Sequence, residues 1–225
     1  MSPLAFRERL PSGAAEGLLV LHHGRGADEY DLLGLGELLD PQGRLHLATP
    51  RAPLTIPGWP GHHWYVVPRV GYPDPDTFHA AYRDLATLHS ELWRRTGIAP
   101  ERTVLGGFSM GAVMSYALGL GADRPAPGGI LAFSGFVPTV EGWQPALSDR
   151  GGVRAFIAHG RRDPVIGIEF ARRARELLRD GGLEVDYHES DAAHQIDAVS
   201  AARAVDWLAQ VLPATGGHHE RSGAS

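Results

Sequence analysis

A serine hydroxyl becomes a useful nucleophile only when a base accepts its proton and a third group orients that base. The sequence offers such a set in the order Ser109, Asp163, His194. Ser109 is the centre of Gly107-Phe108-Ser109-Met110-Gly111, a G-x-S-x-G pattern between the apolar run Thr103 to Leu105 and the helical run Ala112 to Leu120. That context is the strand, sharp turn and helix a nucleophile elbow needs. Side chains at 107 and 111 would collide with neighbouring backbone, so glycine is expected there. Asp163 lies in His159-Gly160-Arg161-Arg162-Asp163-Pro164, directly after the apolar run 153–158. His194 lies in Asp191-Ala192-Ala193-His194-Gln195-Ile196, directly after the run 183–187. The set points to acyl transfer, with Ser109 attacking, His194 taking its proton and Asp163 orienting the imidazole. His159, Asp191 and Glu189 are rivals in the same loops. His159 sits too close to its strand, and Asp191 precedes the histidine within one loop.

Acyl transfer also needs donors aimed at the developing oxyanion. The backbone N–H of Met110 supplies one. The second is assigned to the N–H of Arg25, in the glycine-containing stretch Leu21-His22-His23-Gly24-Arg25-Gly26. The Arg25 side chain is read as solvated, the alternative being attraction of an anionic substrate or leaving group. A substrate-binding wall is expected from the proline-rich segment 50–75, which carries Ile56, Trp59, Trp64, Tyr65 and Val67. Phe136, Val137 and Trp143 are expected opposite, with Val165 beside the acid. Met110 and Met114 read as core rather than ligand contacts, the Met110 side chain being the one within reach of substrate, and Trp93 and Trp207 read as core. The pairs His22-His23 and His62-His63 do not make a metal site by spacing, since adjacent side chains in extended chain face opposite ways. No metal and no cofactor are expected.

These residues need a scaffold that places them together. Short apolar runs without polar alternation recur at 17–21, 44–48, 103–108, 129–133, 153–158 and 183–187. Amphipathic stretches separate them at 28–39, 77–96, 112–120, 168–178 and 196–212. Such a pattern predicts an α/β fold: a mostly parallel sheet with helices on both faces. Ligands bind such sheets beyond the carboxyl ends of the strands, where every candidate above falls. Residues 1–213 read as one domain, and the small, polar stretch 214–225 as a disordered tail.

The chain has 225 residues, no cysteine and a formal charge of −5. The lack of cysteine removes disulfides, thiolate metal sites and a cysteine nucleophile. The acidic balance argues against a nucleic-acid partner. There is no run long enough to span a membrane, and Met1 to Pro11 shows no export signal, so a cytoplasmic protein without stable membrane insertion is expected.

The stretches 22–31, 106–115, 133–138 and 159–166, with His194 in Ala193-His194-Gln195-Ile196, resemble the phospholipase/carboxylesterase family of α/β-hydrolases over roughly residues 17–212. The resemblance implies an α/β-hydrolase fold without a large lid domain. It also implies Ser109, Asp163 and His194 as the triad, with Arg25 and Met110 as oxyanion donors. The expected activity is hydrolysis of small-molecule carboxylic esters of short to medium acyl chain through an acyl-enzyme. Acyl-thioester or lysophospholipid hydrolysis by the same triad is the alternative, and a non-catalytic binding protein the remote one. A homodimer is compatible with the family. Arg25 stands where the family usually has an apolar residue, Ala193 where it has glycine, and Trp64-Tyr65-Val66 where it has Trp-Phe-Asp. These departures bear on the substrate rather than on the triad.

Overall fold

The computed structural model describes residues 4–215; Met1 to Pro3 and most of the expected tail, including His218 and His219, lie outside the described residues. Seven strands form one sheet in the order β1-β3-β2-β4-β5-β6-β7. They are β1 (Phe6–Arg9), β2 (Leu18–His22), β3 (His46–Pro50), β4 (Thr103–Phe108), β5 (Gly129–Phe133), β6 (Arg154–Gly160) and β7 (Glu184–Ser190). Every neighbouring pair is parallel except β1 with β3. The central strands β2 to β5 are almost wholly buried, which is why they read as continuous apolar runs.

Successive residues of a strand serve opposite faces. Leu18 and Val20 of β2 join one core, with Leu105, Ile130, Ala155 and Ile157. Helices α2 (Pro75–Thr96), α3 (Met110–Leu120) and α4 (Ile168–Asp180) cover that side. Leu19 and Leu21 join the other core with Val104, Leu131 and Phe156, under α1 (Leu33–Leu39) and α5 (Ala198–Val211). The resulting three layers form an α/β-hydrolase-like fold with no large lid domain.

Element ends differ from the sequence expectation for identifiable reasons. Helix α2 begins at Pro75 rather than Thr77, because Asp74 caps it by accepting the Thr77 N–H at 3.0 Å and proline suits the first helical position. Helix α1 begins at Leu33, not Asp28. The Asp28 carboxylate accepts the Tyr30 N–H at 2.9 Å, and Glu29 is drawn inward to hold Arg51 at 2.6 and 2.5 Å. Those side-chain bonds hold residues 28–32 in turns. Strand β1 has no counterpart in the sequence reading. Three of its four residues are charged, and it exists because the β3 edge offers Leu47 to Pro50 for antiparallel pairing. Among the described residues no helix is long and apolar enough to cross a membrane.

Candidate active site

Strands β2, β4, β5, β6 and β7 all point their carboxyl ends at one rim, and the candidate residues sit there. Ser109 follows β4 and precedes α3 with φ 55° and ψ −118°. A non-glycine residue in that region is strained, and such strain persists only where surroundings enforce it. The enforcement is steric. A Cβ at Gly111 would stand 1.9 Å from the His22 carbonyl oxygen, and one at Gly107 would stand 2.6 Å from the Gly111 carbonyl carbon. Helix α3 therefore lies directly on strand β2, and the chain must reverse within one residue to enter it.

The three side chains chosen from the sequence meet at this point. The Ser109 hydroxyl donates to His194 Nε2 at 2.8 Å, and His194 Nδ1–H donates to Asp163 Oδ2 at 2.6 Å. The second carboxylate oxygen of Asp163 accepts the N–H groups of Val165 and Ile166 at 2.8 and 2.9 Å. Those bonds leave Oδ2 to face the His194 imidazole, with His159 Nε2 3.4 Å away on the same oxygen. The imidazole is held in the tautomer whose Nε2 can receive a proton. The two loops are fastened together: Arg161 N–H donates to the Ser190 carbonyl at 2.8 Å and Arg162 N–H to the Ala192 carbonyl at 3.1 Å. Gly160 makes this approach possible, since a Cβ there would lie 2.2 Å from the Ala192 oxygen. The Phe108 ring packs 4.8 Å from the His194 ring and limits its rotation.

The rival groups are engaged elsewhere. His159 is buried at the end of β6, donates through Nε2 to the Ile166 carbonyl at 2.7 Å, and lies 3.4 Å from Asp163. Its bond to the Ile166 carbonyl braces the Asp163 loop, and burial holds its imidazole below the usual range. Asp191 pairs with Arg161 at 3.0 Å. Glu189 is gripped by Arg172 and Arg161, and the Arg172 hydrogen bonds above all hold its carboxyl down to about 2.

Ser109 and His194 open into a cavity of about 510 Å³. Arg25, Trp59, Tyr65, Phe136 and Val165 line it, together with Met110. Val70, Phe108, Ile166 and Asp31 also line it and were not singled out from the sequence. Ile166 lies three residues after Asp163 and could have been found from that adjacency, whereas Val70 is brought in by the path of an irregular loop. Met110 stands at the first position of α3, where backbone N–H groups lack helical acceptors. The Arg25 N–H has no acceptor among the described residues.

Trp64 requires a correction. It does not line the cavity but is completely buried. Its indole N–H donates to the His23 carbonyl at 2.9 Å, and its backbone N–H meets Met110 Sδ at 3.2 Å. It thus anchors the loop that carries Arg25. Burying an indole is stable only where its N–H finds a partner, and that carbonyl is the partner. Ile56, Val137 and Trp143 are likewise absent from the cavity wall; Trp143 instead packs edge-on to Phe78, 6.3 Å between ring centres.

Beneath the site His22 and His89 form an ordered polar chain. Arg124 donates to His89 Nδ1 at 3.1 Å, His89 Nε2–H to His22 Nε2 at 3.3 Å, and His22 Nδ1–H to Ser115 Oγ at 2.8 Å. Ser115 in turn donates to the Gly111 carbonyl at 3.0 Å. His23 donates to the Gly24 carbonyl and accepts the Ala52 N–H. Each of these rings is paired only when neutral. Burial pushes His22 down to about 3 and His23 to about 4, and holds His89 well below its ordinary value. In the unfolded chain the same groups titrate near the usual 6.5. Stability is therefore full above that pH and falls as the unfolded state takes up protons that the folded state refuses. By pH 5 the loss is about 2 kcal/mol for each of His22 and His23. Urea midpoints measured between pH 7.5 and 5 test this, and a flat dependence would contradict it.

Comparison with known proteins places the chain. A family model described as Phospholipase/Carboxylesterase matches residues 9–212. The putative hydrolase MhqD of Bacillus subtilis is 28% identical over 200 residues, covering 89% of this chain and 96% of that protein. An acyl-protein thioesterase 1 of Debaryomyces hansenii is 30% identical over 174 residues, covering 72% of this chain and 73% of its own length. The solved structure of esterase PE8 superposes with a TM-score of 0.80 at 29% identity, covering 93% of this chain and 99% of the other.

Proposed function

We propose that this chain, which belongs to the phospholipase/carboxylesterase family, cleaves carboxylic esters of short to medium acyl chain through an acyl-enzyme on Ser109. The observation that carries this reading is the continuous hydrogen-bonded chain from Ser109 through His194 to Asp163 at the edge of a mostly apolar cavity. Ser109 Oγ attacks the ester carbonyl carbon while its proton passes to His194 Nε2. Asp163 stabilises the imidazolium through Nδ1–H. The negative charge that develops on the carbonyl oxygen is met by the N–H groups of Met110 and Arg25. Donors of this kind are each worth about 3 kcal/mol of barrier. Collapse expels the alcohol, which takes the proton from His194. Water then attacks the acyl-enzyme with His194 again as base, and the free acid leaves.

A second reading keeps the residues and changes the bond. The likeness to proteins named acyl-protein thioesterase 1 supports hydrolysis of thioesters, with a thiolate in place of the alcohol. Labelling with a fluorophosphonate probe, followed by mapping of the modified peptide, tests the nucleophile. Modification is expected on Ser109, and on another residue the mechanism above fails. Paired oxygen-ester and thioester series of increasing acyl length separate the two readings. The cavity size predicts that kcat/KM peaks at short to medium chains and declines for long ones.

A further inference from the structure

We propose that Arg25 selects esters that carry an anionic group, a carboxylate or a phosphate, near the scissile bond; this rests on the serine-esterase reading and names the substrate class it serves. Among the described residues Arg25 is the one arginine lining the cavity that holds Ser109 and His194. Its guanidinium lies 3.9 Å from the centre of the exposed Trp59 ring. Stacking of that kind occupies the guanidinium face and leaves its in-plane N–H groups free to donate.

No acid claims those donors. Arg9, Arg44, Arg51, Arg154 and Arg172 all pair with carboxylates, whereas Arg25 has no ion pair and no side-chain hydrogen bond among the described residues. Asp31, the carboxylate that shares the cavity wall, is not bonded to it, and burial together with Asp28 makes Asp31 harder to ionise.

The remaining wall is largely apolar, including Tyr65, Val67, Val70 and Phe136. Arg25 is exposed at the edge of that wall, so a wholly apolar ligand seated there gains nothing from its charge. A ligand with a carboxylate or phosphate gains a charge-assisted, two-pronged contact. The backbone of the same residue faces the developing oxyanion in the mechanism above. One residue thus reads the substrate and supports its reaction.

The test compares kcat/KM for matched pairs. In the acyl arm, the 4-nitrophenyl monoester of adipic acid is set against 4-nitrophenyl hexanoate, which replaces a carboxylate by a methyl group. In the alcohol arm, the butyrate ester of glycerol phosphate is set against that of glycerol. Wild type is expected to prefer the anionic member of at least one pair by about tenfold or more at low salt, with the preference shrinking as salt is added. Arg25→Leu should remove or invert the preference, Arg25→Lys should keep part of it, and Trp59→Leu should weaken it. The ratio within each variant cancels any disturbance of the backbone donor. Ratios near one in both arms for wild type, or a preference that survives Arg25→Leu, overturn the proposal while leaving the esterase reading intact. Failure of wild type to cleave any of the four esters overturns both.

Discussion

Replacing Ser109 by alanine is expected to lower kcat/KM for ester hydrolysis by on the order of 10⁴- to 10⁶-fold, with the unfolding midpoint close to that of wild type. The size of the loss follows from what remains. His194 and Asp163 stay paired at 2.6 Å, and the Met110 and Arg25 N–H groups are untouched, but no covalent intermediate can form. On the proposed mechanism the residual rate is whatever oriented water achieves beside the Met110 and Arg25 N–H groups. The fold survives because the Ser109 hydroxyl makes a single side-chain contact, the one to His194. The strained backbone at φ 55° is imposed by neighbouring glycines and carbonyls rather than by the hydroxyl. Steady-state kinetics and denaturation of the purified variant check both halves. Wild-type turnover in Ser109→Ala would remove the nucleophile assignment.

Gly111→Ala has the second large effect, and it falls on stability. The added methyl would lie 1.9 Å from the His22 oxygen and 2.4 Å from its carbon, both backbone atoms of a central strand. Relief requires α3 to lift away from β2. Every residue of α3 is buried, so lifting it disturbs packing along the whole helix. A loss of more than about 3 kcal/mol is expected, together with loss of activity, because the elbow angle is set by this contact. Gly34→Ala is the matched control. It lies inside α1 with nothing within 4 Å of the new Cβ, and a gain of about 0.5–1 kcal/mol is expected there. Equal urea midpoints for the two variants would show that close approach of α3 to β2 is not what constrains Gly111.

Much of the architecture was legible because burial on both faces leaves a distinct mark. Strands β2, β4, β5 and β6 are built around short apolar runs, and α2 shows one apolar stripe ended by Gly97 in a left-handed conformation. Strand β1 left no such mark. Phe6 to Arg9 takes its conformation from pairing to an edge rather than from its own side chains. The start of α1 was misplaced because Asp28 and Glu29 look like helix-opening residues, yet both spend their carboxylates on local turns and on Arg51.

The site divides along a similar line. Residue order and local motif are properties of the chain, so the glycine-flanked Ser109, the later acid and the still later histidine are legible in the sequence. Which of Trp59, Trp64 and Tyr65 faces the cavity is not, because segment 50–75 has no periodicity from which to assign a direction. There Trp64 turns inward to satisfy its indole on the His23 carbonyl, while Trp59 turns outward to lie under Arg25. The bracing of the Asp163 loop by His159, and the neutral histidine chain under α3, were equally hidden. They join groups far apart in the chain whose hydrogen-bond partners exist only once the sheet has brought strand ends to a common rim. Short-range sterics are written in neighbouring residues; long-range pairing is written in the packing that folding creates.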